Sequence, residues 1–122
     1  MKLRIKGNSI RLRLTQTEVK NFASSGIVEE ITSVGPQQLK YVLKSQTQDQ
    51  PLQAGFNDNT LTVFMESNLA SAWYDAEDVG YRHLSQTPEG DELFLLVEKD
   101  FVCLDETFED QSDNYPNPNS TC

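Results

Sequence analysis

The sequence predicts an α+β domain: a mainly antiparallel, curved or barrel-like sheet of five to seven strands, with two short helices. Three observations lead there. Aliphatic and polar residues alternate with period two in most of the patterned segments, turn residues separate those segments at short intervals, and only two places carry helix-start chemistry. Strands joined through short turns pair antiparallel, which sets the expected sheet type.

The first fourteen residues read as a β-hairpin. Leu3 and Ile5 alternate with Lys2, Arg4 and Lys6; Ile10, Leu12 and Leu14 alternate with Arg11 and Arg13. Gly7-Asn8-Ser9 between them tolerates the positive φ of a tight turn. Alternation therefore puts the aliphatics on one face and five cations on the other. A helix follows, because Thr15-Gln16-Thr17-Glu18 fits the capping box, in which Thr and Glu satisfy each other's orphan backbone donors. Val19 and Phe22 form its inner stripe, and Gly26 is its stop.

Residues 27–34 are β-branched but alternate imperfectly, and Gly35-Pro36 breaks the chain. In 38–45, Leu39, Tyr41 and Leu43 oppose Gln38, Lys40 and Lys44, as in a half-exposed strand. After a polar loop at 46–51, Leu52, Ala54 and Phe56 alternate into the Asn57-Asp58-Asn59 turn, and Leu61, Val63 and Met65 alternate out of it. Ser67 is placed to cap a second helix on which Leu69 and Trp73 share a face. Residues 79–85 and 92–99 flank Pro88-Glu89-Gly90-Asp91, a third hairpin signal; the unbroken apolar run Leu93–Val97 suits a strand covered on both faces. No internal repeat with a convincing period is visible. The folded domain is expected over residues 1–104, with 105–122 an acidic tail, lying on the surface through Phe108 and Tyr115 or partly disordered.

Charge is distributed unevenly. The chain of 122 residues carries a net charge of -9. Residues 1–20 hold six cations against Glu18, whereas residues 75–113 hold thirteen acids against Arg82 and Lys99. The acidity argues against a whole-surface nucleic-acid or anionic-membrane binder. No run reaches the length of a membrane span, and the opening Met1-Lys2-Leu3-Arg4-Ile5-Lys6 has charges where a signal peptide needs apolar residues. A soluble cytoplasmic protein is the expectation, with Cys103 and Cys122 as reduced thiols. Secretion would instead favour a 103–122 bridge and use of the Asn119-Ser120-Thr121 sequon.

Four chemistries compete for these residues. The cationic face of Lys2, Arg4, Lys6, Arg11 and Arg13 would dock onto an acidic surface: the chain's own C-terminal half, a second copy or another protein. The same face would serve an anion- or nucleic-acid-binding regulator, although no aromatic interleaves the cations for base stacking; the plain alternative is a solvated edge hairpin. His83, Cys103 and Cys122, with Asp105, Glu106 or Asp113 as a fourth ligand, form a metal alternative without the local bite of a Cys-x-x-Cys or His-x-x-His pair. The acids at 105–113 do not make an EF-hand, because a loop starting at Asp105 has Asp110 at its sixth position and Pro116 at its twelfth. With one histidine, no Gly-x-Ser-x-Gly elbow and six isolated glycines, no catalytic residue or cofactor motif is assigned. The ranking favours a non-enzymatic interaction protein without a cofactor or membrane partner.

Two resemblances accompany these motifs. The Gly7-Asn8-Ser9 turn, the alternating strand after it and the capped helix ending at Gly26 resemble, over residues 5–34, AbrB-like swapped-hairpin DNA-binding domains, although Thr15 stands where those have a proline. The opening Lys2-Leu3-Arg4-Ile5-Lys6-Gly7-Asn8-Ser9-Ile10-Arg11, the strand end Glu98-Lys99-Asp100-Phe101-Val102-Cys103-Leu104 and the closing Asp113-Asn114-Tyr115-Pro116-Asn117-Pro118 resemble a small uncharacterised bacterial family. That resemblance implies a compact bacterial domain and no established activity.

Overall fold

Every alternating segment becomes a strand. In the computed structural model, which describes residues 1–101 and 112–116, the order is β1 (Lys2–Lys6), β2 (Ser9–Leu14), α1 (Gln16–Ser25), β3 (Ile27–Val34), β4 (Gln37–Gln46), β5 (Leu52–Asn57), β6 (Thr60–Glu66), α2 (Ser67–Ala72), β7 (Gly80–Gln86) and β8 (Glu92–Lys99). The eight strands form two four-stranded sheets, β1-β2-β8-β7 and β3-β4-β6-β5. The α+β class and the two helices stand; the expected single, mainly antiparallel, curved or barrel-like sheet of five to seven strands is corrected to two mixed sheets with eight strands in all, and they do not close into a barrel. Each sheet is two antiparallel hairpins joined by a central parallel pair, β2 with β8 and β4 with β6. Short turns dictate pairing only inside a hairpin; which hairpins then sit side by side is decided by helices that carry the chain from one sheet to the other.

Local chemistry explains the boundaries. The Thr15–Glu18 capping box is complete, and Gly26 ends α1 in the left-handed region at φ 78 with its amide donating to the Phe22 carbonyl. Glu66, rather than Ser67, caps α2, accepting from the amides of Asn68 and Leu69; Ser67 is the first helical residue. Gly7 alone takes a positive φ in the first hairpin, whereas Asp58 and Asn59 both do in the β5–β6 turn, as a type I′ turn requires.

One core fills the space between the sheets and the helices. Leu12, Leu14, Leu95 and Val97 point inward from one sheet, Leu43, Leu52, Val63 and Met65 from the other, and Val19, Phe22, Ala70 and Trp73 from the helical segments. A second order underlies it. The sequence β-β-α-β-β occurs twice, and the register repeats with it. Leu3 faces Leu12, which lies beside Val97; fifty-one positions on, Ala54 faces Val63, which lies beside Leu43. The helices continue the correspondence, with Val19 matched by Ala70 and Phe22 by Trp73, all buried. The repeat escapes sequence inspection because only burial is shared, not residue type.

The segment 112–116 packs against this body. Asp113 accepts from the Gln16 amide through its carbonyl and from the Thr17 amide and hydroxyl through its carboxylate, at 3.0, 3.2 and 3.0 Å. Tyr115 pairs with Phe101 and lies under the Lys99 ammonium. No described helix is long and apolar enough to cross a membrane.

Candidate docking face

Alternation places Lys2, Arg4, Lys6, Arg11 and Arg13 together on the outer face of the β1-β2-β8-β7 sheet, opposite the core face that carries Leu12 and Leu14. Register then brings them beside residues from the far end of the chain. One row across the four strands runs Arg4, Arg11, Leu96, Arg82; the next runs Lys2, Arg13, Glu98, Gly80. The third runs Lys6, Ser9, Phe94, Leu84.

Arg82 is thus a sixth cation on this face. Its position opposite Tyr81 and His83 was readable from alternation, but its neighbourhood depends on β7–β8 lying beside β2, which nothing local specifies. Phe94 and Leu96 lie half-buried among the cations, and Leu84 is 56% exposed. The unbroken apolar run in β8 is therefore covered on the core side by the opposite sheet and on the outer side only by neighbouring side chains among the described residues. Phe94 is also the aromatic that the hairpin sequence lacks.

Three cations meet the chain's own acids. Glu98 Oε1 accepts from Arg11 Nε at 2.7 Å and from Arg13 Nε at 2.8 Å, and Lys2 Nζ stands 3.0 Å from an oxygen of the buried Asp100. Both arginines reach one carboxylate because parallel pairing sets Glu98 directly beside Arg13, one row from Arg11. Arg4, Lys6 and Arg82 make no ion pair among the described residues and are exposed. Arg4 also stands directly across from Arg11, and Lys2 across from Arg13. Like charges directly opposite each other destabilise an antiparallel pair by a few tenths of a kcal/mol, roughly 0.2–1.

A model of a family of unknown function, DUF7009, matches residues 1–119. The chain belongs to the DUF7009 family. The β1-β2-β8-β7 sheet and its cationic face lie wholly inside the matched span. No curated protein matches the DUF7009 chain, and neither does any solved structure; the resemblance to AbrB-like domains is not confirmed.

The remaining candidates fall elsewhere. His83 points to the inner face of β7, half-buried, opposite Leu95 and between Tyr81 and Ser85. Cys103 and Cys122 lie outside the described residues, as do Asp105, Glu106, Phe108, Glu109 and Asp110. Among the described residues no three His, Cys, Asp or Glu side chains are placed to hold a metal ion. Asp113, offered as a fourth ligand, has both carboxylate oxygens engaged by Thr17.

Lys99 is a buried cation that sequence reading passed over. It ends β8 on the core side, donates to the Ala76 carbonyl at 2.8 Å, and its pKa is lowered by burial. Near it, Tyr81 donates to Asp78 at 3.1 Å, and burial followed by that carboxylate pushes its phenol up to about 12.

Proposed function

We propose that this DUF7009 protein is a non-enzymatic docking module that binds an acidic protein surface through the outer face of the β1-β2-β8-β7 sheet. The observation that carries this reading is internal to the molecule. The two sheets are built alike, so the second serves as a control for what the architecture itself requires. At the positions matching Lys2, Arg4, Lys6, Arg11 and Arg13, the second sheet has Gln53, Gly55, Asn57, Thr62 and Phe64. Five cations correspond to five uncharged residues, and Arg82 corresponds to Glu29. The second sheet's own outer cations are two, Lys40 and Lys44, standing where the first has Phe94 and Glu98, and Lys40 pairs with Glu29 at 2.9 Å; the larger set of cations on the first sheet supports a partner there.

A protein suits this face better than a nucleic acid. The apolar centre of Phe94, Leu96 and Leu84 suits a contact with an apolar core and a charged rim.

The test is fluorescence anisotropy at low salt with labelled polyglutamate and a labelled DNA duplex. Polyglutamate should bind, binding should fall steeply with salt, and Arg4→Glu with Arg82→Glu should abolish it without lowering the unfolding midpoint, because neither side chain has an ion pair to lose among the described residues. Absence of polyglutamate binding, or tighter binding to the duplex, would overturn the proposal.

A further inference from the structure

We propose that the outer edge of β1 is the point at which this face captures its partner, by adding an extended segment of alternating acidic and apolar residues as a fifth strand. The proposal rests on the docking reading and specifies its mode. β1 is the outermost strand of its sheet, and β5 is its counterpart in the other. The two edges differ. β5 packs against β7 and β8, which flank it across the sandwich, whereas no comparably extensive contact joins β1 to β3. Past Met1, whose amino group reaches Glu30 at 3.0 Å and whose carbonyl accepts from the Tyr41 hydroxyl at 3.3 Å, no strand among the described residues pairs with the outer edge of β1.

The chemistry along that edge alternates. Arg4 and Lys6 project on the outer face without an ion pair among the described residues, while Ile5 projects on the core face and is 58% exposed. An edge strand offers unpaired backbone amides and carbonyls to an incoming strand, and side-chain pockets on alternate positions then select it. A strand laid along β1 would place every second side chain beside Arg4 and Lys6 and the others over Ile5 and Leu3. Carboxylates fit the first set and aliphatics the second.

The same charges exclude the commonest wrong partner. Two β1 strands paired antiparallel about Arg4 would set Arg4 against Arg4 and Lys2 against Lys6, so a second copy is rejected by repulsion while an acidic strand is admitted. Specificity here comes from both terms.

The experiment uses the full chain, isotopically labelled, with two peptides of one composition: alternating Glu-Val-Glu-Val-Glu-Val-Glu and a block peptide of four Glu followed by three Val. The alternating peptide should bind roughly tenfold more tightly than the block peptide, and the amides of Leu3 and Ile5, which face the edge, should exchange more slowly with it bound. Ile5→Lys should remove the preference for alternation and leave polyglutamate binding intact. Equal binding of the two peptides, no binding of the alternating one, or no protection in β1 would overturn strand addition. Polyglutamate binding, which the docking reading requires whatever the mode, separates that outcome from a failure of the face itself.

Discussion

Phe22 and Trp73 occupy matching places in the two halves of the molecule, each buried at the C-terminal end of the helix that follows a hairpin. Both rings belong to the one buried core, and Trp73 also meets the Tyr81 ring with centroids 5.9 Å apart. Only Trp73 has a polar duty as well, its indole N–H donating to the Asp78 carbonyl at 3.2 Å. Trp73→Ala should therefore cost about 3–5 kcal/mol. Trp73→Phe, which keeps a ring but leaves that carbonyl without its donor, should cost about 1–2 kcal/mol. Urea unfolding of the two variants checks the order.

Glu98 holds Arg11 and Arg13 on the outer face, where all three side chains retain some solvent contact. Glu98→Gln should destabilise the fold by only about 1 kcal/mol, since partly exposed ion pairs are screened. It should also strengthen polyglutamate binding by freeing two guanidinium groups. A variant that loses stability and binds the polyanion no better would show that the arginines serve the sheet alone.

Gly80 begins β7 where β7 comes closest to β8. A Cβ at this position would overlap the Val97 carbonyl oxygen and the Glu98 backbone, atoms that cannot move without breaking the ladder. Gly80→Ala should cost about 1–3 kcal/mol, and Glu98 should shift with it. A midpoint equal to wild type in thermal unfolding would contradict this close approach.

Much of the local structure was legible, and the limits have physical causes. The capping box of Thr15 and Glu18, the Gly26 stop and the shared strand face of Leu39, Tyr41 and Leu43 are decided by contacts within a few residues, and each appears as read. The parallel pairing of β2 with β8 joins segments about eighty positions apart, and no pattern of either strand names the other. Arg82, Phe94 and Leu96 could be assigned to a strand face but not to the cationic one for that reason. The duplication was hidden because Leu12 and Val63, or Val19 and Ala70, satisfy the same burial with different atoms.

The carboxyl group of Asp113 is held below its ordinary value of 3.8, first by the Thr15 hydroxyl and then by Thr17. A carboxylate depressed in the folded state contributes stability above 3.8, and that contribution disappears as the pH falls through the lowered folded value. Residues 112–116 should accordingly loosen from α1 in acid before the sheets unfold. The Thr17 amide resonance followed from pH 5 to pH 2 reports this step, and Asp113→Asn should flatten its titration.

Chemical-shift mapping of the labelled protein with polyglutamate at low salt asks directly whether one sheet, and not its twin, carries the docking function. Perturbations should concentrate on Arg4, Lys6, Arg11, Leu96 and Arg82 and spare Gly55, Asn57, Thr62, Val42 and Glu29, their counterparts in the second sheet. Perturbations spread equally over both sheets, or confined to the second, would show that the cationic face has no partner of this kind.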